Sequence, residues 1–111
     1  MITIYNNSDF KIKITSLRTI GGGEIEQSTA HVKFDFVADD TKIHYIAISS
    51  PTAGMCKNTT IKDGHIFVLF ENYNMKGRLR MRTMIGYEDS DFADDEANVW
   101  SDWQTLNIEL K

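Results

Sequence analysis

The sequence predicts an all-β protein, an antiparallel β-sandwich of about seven strands or a barrel-like variant of it. Over several short segments, apolar and polar residues alternate with the period of a strand that buries one face. Glycine, asparagine, aspartate and serine separate these segments, as turns between short strands require. No segment has the period of an amphipathic helix. We expect the 111 residues to form a single domain, residues 1–111, with one hydrophobic core.

Four strands are predicted in the first half of the chain. Ile2–Tyr5 and Phe10–Arg18 alternate, and the polar residues between them form a turn. Three glycines at 21–23 end the second strand. Ala30–Ala38 also alternates, whereas Lys42–Ser49 is apolar on both faces and is therefore predicted to be a central strand. The short turn between the last two segments makes them hairpin partners.

The segment Ile61–Tyr87 is predicted to be the β-hairpin around which the sheets are organised. Within it, His65–Phe70 ends in five consecutive apolar residues, as in a strand that is covered on both faces. Gly77–Tyr87 alternates, with arginines on one face and mainly apolar residues on the other. Residues 97–104 are interpreted as one helical turn, and Thr105–Lys111 as the last strand.

Two connections and a core complete the predicted fold. Ser50–Thr60 is interpreted as a loop, which contains the only proline. Asp63 and Gly64 form a tight turn before the apolar strand. Apolar positions are assigned to the inward face of each strand, so Asp35 is assigned to solvent. The predicted core residues are Phe10, Ile12, Phe34, Phe36, Ile46, Phe67, Leu69, Met81, Ile85 and Ile108.

The composition is that of an ordinary soluble domain. Charged residues make up 25% and the net charge is -4, which argues against a nucleic-acid partner because such proteins carry a basic excess. No apolar stretch approaches the roughly 20 residues of a membrane span, so no membrane partner is expected. The single cysteine, Cys56, excludes an intrachain disulfide, and the first residues lack the features of a signal peptide. We therefore expect synthesis in a reducing compartment.

Residues 88–96 include six acidic residues, among them Asp91 and Asp94. Carboxylates at this density would suit a hard cation such as calcium. The spacing does not match an EF-hand loop, since Asp94 stands where that loop needs glycine and Trp100 where it needs glutamate. We therefore favour a solvated acidic loop over a metal site, and no metal or cofactor is predicted.

Trp100 and Trp103 are three residues apart, so on a helical turn they would share a face. An exposed aromatic pair stacks on sugar rings or anchors a protein partner, because it buries much area at a low cost in entropy. The other interpretation is that the two indoles cap an open end of the sandwich, and we favour it because aromatic residues mostly supply core area.

The remaining polar residues predict no catalytic site, and we do not expect an enzyme. The three arginines of one strand face would pair with cross-strand carboxylates or remain solvated, with phosphate binding as the alternative. The three histidines lie on or beside different strands, and the lone cysteine has no neighbouring base that would activate it as a nucleophile. These residues are Arg78, Arg80, Arg82, His31, His44, His65 and Cys56.

Four segments of the second half form a series: a turn and apolar strand over Ile61–Phe70, a glycine that opens the next strand at Gly77–Leu79, an acidic D-F-x-D loop within Asp89–Asp94, and a closing strand at Thr105–Leu110. This series resembles a family of short β-sandwich proteins encoded in prophages of gut anaerobic bacteria, which are virion or tail-associated structural proteins. The family's acidic loop tends to read D-F-P-D-G, whereas this chain has Ala93 in place of the proline and Asp95 in place of the glycine.

The resemblance implies a non-enzymatic structural protein of a phage or prophage virion, made in the bacterial cytoplasm. It brings no catalytic residues, and it implies a homo-oligomer or association with other virion proteins. We expect the acidic loop, with Asp91 and Asp94, and the tryptophans Trp100 and Trp103 to lie at a subunit or partner contact. The alternative is a carbohydrate- or ligand-binding β-sandwich that uses Trp100 and Trp103.

Overall fold

The computed structural model describes residues 1–5, 8–18, 22–88, 90–91 and 96–111, and for residues 87, 88, 96 and 97 it describes the backbone only. Part of the predicted turn after the first strand, Asn6 and Asn7, and the first of the three glycines lie outside the described residues. The described chain confirms the all-β class but has nine strands rather than about seven. They are β1 (Ile2–Ile4), β2 (Phe10–Lys13), β3 (His31–Ala38), β4 (His44–Ser49), β5 (Thr59–Lys62), β6 (His65–Phe70), β7 (Gly77–Glu88), β8 (Glu96–Trp100) and β9 (Gln104–Leu110).

The strands form two packed sheets, so the sandwich is confirmed and the barrel-like variant is not observed. The large sheet has the strand order β1-β9-β7-β3-β4, and β8 pairs with β7 beside that path. The small sheet has the order β2-β6-β5. Pairing between β1 and β9 is parallel, and the other strand pairings in the described residues are antiparallel. No helix in the described part of the chain is long and apolar enough to cross a membrane.

Two local hairpins follow from turn chemistry. β3 and β4 pair as predicted, from Val32 opposite Ser49 to Val37 opposite His44. β5 and β6 are joined through Asp63 and Gly64, which both have positive φ (51° and 76°) as a type I′ turn requires. The predicted turn is therefore confirmed, but the strand before it was missed because Thr59–Lys62 has only one strongly apolar residue.

The predicted hairpin between β6 and β7 is wrong, because these strands belong to different sheets. β6 is the middle strand of the small sheet, and residues 71–76 carry the chain across to the large one. β6 is also not covered on both faces: Ile66, Val68 and Phe70 are buried, whereas the residues between them are half-buried. A run of consecutive apolar residues does not reveal which alternate set faces the core.

The core lies between the sheets and is centred on Phe70. The Phe10 and Tyr45 rings stack on Phe70 at centroid distances of 4.5 and 4.7 Å, and Phe36 meets it edge-on at 4.8 Å. Tyr73 adds a further edge contact at 6.1 Å. These rings come from both sheets and from the connection between them, so the Phe70 side chain joins the two sheets and that connection.

The predicted core is partly confirmed. Phe34 and Phe36 are fully buried, and Phe10, Ile12, Met81 and Ile108 pack against the buried cluster. The assignment is wrong for three residues that face away from the other sheet, since their strand neighbours Ala47, Val68 and Phe70 are the buried ones. The three residues are Ile46, Phe67 and Leu69.

β4 is an edge strand rather than the predicted central strand. β4 is apolar on both faces although only one of its faces is turned toward the core. Tyr45 and Ala47 face the core, while Ile46 and Ile48 are half-buried on the opposite face of the large sheet. The Tyr45 hydroxyl donates to the Leu69 carbonyl at 2.7 Å and so ties this edge to the small sheet. Burial raises the pKa of Tyr45.

The predicted strand Phe10–Arg18 is shorter in the structure, because hydrogen bonds from the buried Gln27 side chain replace the strand pairing. β2 ends at Lys13. The Gln27 amide then donates to the Ile14 carbonyl at 2.9 Å and accepts the Ile66 N–H at 2.7 Å. A buried amide with donor and acceptor both bonded to backbone holds the segments together as strand pairing would.

Gly77 is the point where β7 begins beneath the β3–β4 turn. Its φ is +108°, and a Cβ on it would lie 2.7 Å from the Asp40 nitrogen and 3.2 Å from that of Asp39. The same two N–H groups donate to the Lys76 and Arg78 carbonyls, at 3.0 and 3.1 Å. This close approach requires glycine, both for the backbone angle and for space.

We expect Gly77→Ala to lower the free energy of unfolding by more than about 2 kcal/mol, because it combines backbone strain with a steric clash. Gly54→Ala is the matched control, since Gly54 also has positive φ but nothing within 4 Å of its Cβ position. The control should lose only about 1 kcal/mol in urea denaturation. Equal losses would show that the close contact between Gly77 and the β3–β4 turn does not contribute to the destabilisation.

Candidate functional site

The large sheet has one face toward the small sheet and one face away from it, which we call the outer face. On β3, β4, β7 and β8 the register places four rows of side chains there. The outer-face residues with described side chains include Lys33, Asp35, Val37, His44, Ile46, Ile48, Arg80, Arg82, Met84, Asn98 and Trp100.

The predicted helical turn at 97–104 is wrong. A strand occupies most of this segment and brings Trp100 to the outer face. Glu96–Trp100 is β8, whose pairing to β7 sets Trp100 opposite Met84. Trp103 follows in the connection to β9. The pair therefore lies on the middle of the outer face, and not at an open end of the sandwich.

Asp35 is the unexpected member of the site, because it was assigned to solvent and is only 3% exposed. Its Oδ2 accepts from Arg82 Nε at 3.2 Å, and its Oδ1 lies 2.6 Å from His44 Nδ1. Arg82 is the direct cross-strand partner on β7, while His44 lies diagonally on β4. A buried carboxylate needs such partners on both oxygens, since an unpaired one would be strongly unfavourable.

Arg82 in turn contacts both indoles. Its guanidinium carbon lies 4.1 Å from the centre of the Trp100 ring and 4.9 Å from that of Trp103. Lys33 adds a second cation 5.9 Å from the Trp100 ring, and the His44 ring lies 6.2 Å from that of Trp103. Each close cation–π contact contributes about 0.5–2 kcal/mol. We call Asp35, His44, Arg82, Trp100 and Trp103 the Trp–Arg cluster.

The cluster holds the two tryptophans in place but leaves much of them in contact with solvent. Trp100 is 39% exposed and Trp103 is 40% exposed. Ile46, Ile48 and Met84 beside them are half-buried. The exposed pair was the less favoured of the two interpretations of these tryptophans, and the pairing arises through Arg82 and not from a shared helical face.

The three arginines of β7 have separate partners. Arg82 pairs with a cross-strand carboxylate, as one of the interpretations predicted. Arg80 Nε lies 2.9 Å from Asp39 Oδ1 in an exposed pair. Arg78 Nε donates to the Leu106 carbonyl at 2.7 Å, where the register between β7 and β9 shifts. Each of the three guanidinium groups is therefore engaged by a partner of its own.

A groove of about 390 Å³ adjoins the cluster on the outer face. Ile48, Met55 and Met84 supply apolar lining, and Asn98 and Thr52 add polar groups. Ser50 Oγ and His31 Nδ1, which also line the groove, lie 3.1 Å apart. Grooves of this size and composition are common places for a ligand or a partner side chain.

Of the acidic half of the predicted site, the structure describes only Asp91. Asp91 is exposed between β7 and β8, and Asp94 lies outside the described residues. The backbone register sets Glu88 opposite Glu96 at the end of the hairpin, four residue pairs beyond the Met84–Trp100 pair. The structure therefore does not bring Asp91 together with the tryptophans. Within the described residues, no three His, Cys, Asp or Glu residues are grouped as metal ligands would be.

Comparisons with protein-family models, with curated proteins and with solved structures found no significant match to this chain.

We expect Arg82→Ala to lower the free energy of unfolding by about 3 kcal/mol, because it leaves the Asp35 carboxylate buried without its guanidinium partner. Arg80→Ala is the matched control on the same strand and face. Its pair with Asp39 has side chains that are 47% and 42% exposed, so the loss should be about 0–1 kcal/mol. Chemical denaturation followed by tryptophan fluorescence measures both, and similar losses would contradict the role given to Asp35.

Proposed function

We propose that this protein is a non-enzymatic structural component of a phage or prophage virion, and that it associates with further copies or other virion proteins through its outer face. The observation that carries the proposal is the composition of that face. The family resemblance of the second half supports the virion role, and the structure supports association as the mode of action.

On the outer face, apolar side chains stand among the polar ones that normally occupy the open side of an antiparallel sheet. Val37, Ile46 and Ile48 occupy such positions on β3 and β4, on the same face as the exposed Trp100. Apolar patches of this kind on soluble proteins mark interaction sites. Tryptophan, methionine and arginine, which are grouped here, are the residues enriched at protein interfaces.

The charged groups of the cluster support a binding role over a catalytic one. Asp35 is bonded to both Arg82 and His44, and Arg82 is packed against two indoles. Because these charged groups are bonded to one another, they form a rigid support for the exposed tryptophans. Such pre-organisation lowers the entropy that is lost on binding.

The virion role is tested by inducing a bacterial strain that carries this gene and purifying the particles on a density gradient. We expect mass spectrometry to find the chain in the particle band together with capsid, portal or tail proteins. Its presence in the lysate but not in the particles would overturn the proposal. Sequencing of the flanking DNA, which should contain portal, terminase, capsid or tail genes, gives an independent check.

A second candidate, a carbohydrate- or ligand-binding module, is favoured by the groove beside the exposed indoles. It predicts hits on a glycan array that are lost in Trp103→Ala, because sugars stack on exposed aromatic rings. Tyr5→Ala is the matched control, since Tyr5 is also exposed but lies beyond β1. An array without hits, or hits that survive Trp103→Ala, would discard this candidate.

A further inference from the structure

The two ends of the large sheet differ, because the chain itself covers β4 and leaves β1 open. Ile48 and Lys57 exchange N–H···O=C bonds of 2.8 and 2.9 Å, and the Asn58 amide donates to the Ile46 carbonyl at 3.0 Å. Within the described residues no strand pairs with the other side of β1. β8 also lies at an edge, but it covers only part of β7 and begins with the charged Glu96.

The side chains of β1 and its two neighbours lack the features that normally protect an edge strand. Residues 1–5 contain neither proline nor a charged side chain, whereas the edge strands of the small sheet carry exposed lysines. Met1, Ile2 and Tyr5 are 65%, 59% and 63% exposed. Exposed apolar side chains on an unprotected edge mark a place where another strand can add to the sheet.

The backbone of β1 is oriented for such an addition. The Lys111 N–H donates to the Ile4 carbonyl at 2.9 Å, so the backbone groups of Ile4 point toward β9. In a parallel pair, the groups of the next residue point the other way. The N–H and C=O of Thr3 and the N–H of Tyr5 therefore point to the open edge. The Tyr5 carbonyl already accepts the Ser8 N–H at 3.1 Å.

We propose that two copies of this chain join their β1 edges, antiparallel, about a twofold axis at Thr3. In this register the two Thr3 residues exchange N–H···O=C bonds, and each Tyr5 N–H donates to the Met1 carbonyl of the second copy. The inference rests on the self-association in the proposed function and assigns to it a contact separate from the outer face. Such an interface is isologous and closes at two copies.

The same register gives every exposed apolar side chain of β1 an apolar neighbour. Ile2 meets Ile4 of the second copy on the face of the sheet where Ile4 packs against the buried cluster. On the other face Met1 meets Tyr5, and Thr3 meets its own equivalent. Aromatic, branched and Thr–Thr pairs of this kind are those that stabilise neighbouring antiparallel strands.

No charged side chain of residues 1–5 has to be buried in the contact, because there is none. On β9, Glu109 is in register with Thr3 and lies 3.8 Å from the Lys111 ammonium. The two copies of Glu109 would be three strand spacings apart, about 14 Å, where salt screens their repulsion. Asp9 is the first charged residue after β1 in the sequence. The contact therefore depends on backbone and apolar groups and should change little with salt.

The dimer would join the large sheets into one path of ten strands, five from each copy. A twofold axis perpendicular to this sheet keeps both small sheets on one side and both Trp–Arg clusters on the other. Two outer faces then act on a partner together, which strengthens weak binding. The paired edge is short compared with a standard interface of about 800 Å² per partner, so we expect a dissociation constant on the order of 0.1–1 mM.

Sedimentation equilibrium at protein concentrations up to about 1 mM measures the dimer. Thr3→Pro removes the outward N–H but no bond to β9, so it should weaken dimerisation at least about tenfold with little loss of stability. Thr3→Val is the matched control, because it keeps the N–H and the branched shape, and it should dimerise as the wild type does. Equal weakening by both variants would contradict the backbone pairing.

A second pair of variants tests the side chains. Ile2→Lys places a charge on the edge and should weaken dimerisation at least about tenfold. Ile43→Lys is its control, since Ile43 is 47% exposed and precedes β4 at the opposite end of the sheet. The wild-type dissociation constant should differ less than about threefold between 0.05 and 0.5 M salt. Dissociation by salt would show that charged groups form the contact.

Cross-linking tests the register in chains that carry Cys56→Ser. With Thr3→Cys the paired Cα atoms would be about 5.5 Å apart, within the range of a disulfide. With Tyr5→Cys they would be about 14 Å apart, because four residues separate them along the paired strands. We expect oxidation to link Thr3→Cys dimers at least about tenfold faster. Equal or faster linking of Tyr5→Cys would overturn the register.

A wild-type chain that is monomeric at about 1 mM would overturn the inference. A dimer that survives both Thr3→Pro and Ile2→Lys would overturn it as well and would indicate contact through the outer face. The particle experiment does not depend on these variants. A chain that is found in particles but fails the dimer experiments would lose only the contact proposed here, whereas an edge dimer that is absent from particles would lose the virion role.

Discussion

The packing of four aromatic rings around Phe70 is the interaction on which the rest of the structure depends. It brings together β2, β3, β4 and the connection after β6. Because Phe70 must point inward, the alternation of β6 is fixed and Val68 and Ile66 follow it into the core. The small sheet is thereby clamped against one face of a sheet with twice as many strands, and the other face of the large sheet has no second layer from the described chain.

That uncovered face is stabilised by its own side chains. Asp35 lies in the middle of β3, where neighbouring strands restrict solvent, and its carboxylate is therefore bonded on both oxygens. Arg82 does two things at once, since its nitrogen neutralises Asp35 while its flat guanidinium supports two indoles. The stability of the sheet and the position of the tryptophans thus depend on the same ion pair.

Local patterns in the sequence predicted most elements but not their assembly. The alternation in β3 and β7 identified both strands, and the turn at Asp63 and Gly64 was predicted correctly. The sequence did not predict which face of β6 points to the core, nor that β4 lies at the edge of its sheet. A strand that is apolar on both faces does not show which of them is buried. The tryptophans were selected from residue type and spacing. The buried Asp35 was missed, since alternation assigns a face but does not show that Arg82 and Trp100 will cover that face.

The pairing of β1 with β9 has a consequence for the order of folding. Its register joins Ile2 to Ile108, whereas the β3–β4 and β5–β6 hairpins close over a few residues. Contacts between residues far apart in sequence form slowly, because a long loop must close before they are made. During synthesis on the ribosome, β1 emerges early and remains without its partner until β9 has been made. The exposed Ile2 on this short strand is therefore open to wrong contacts until β9 has been made.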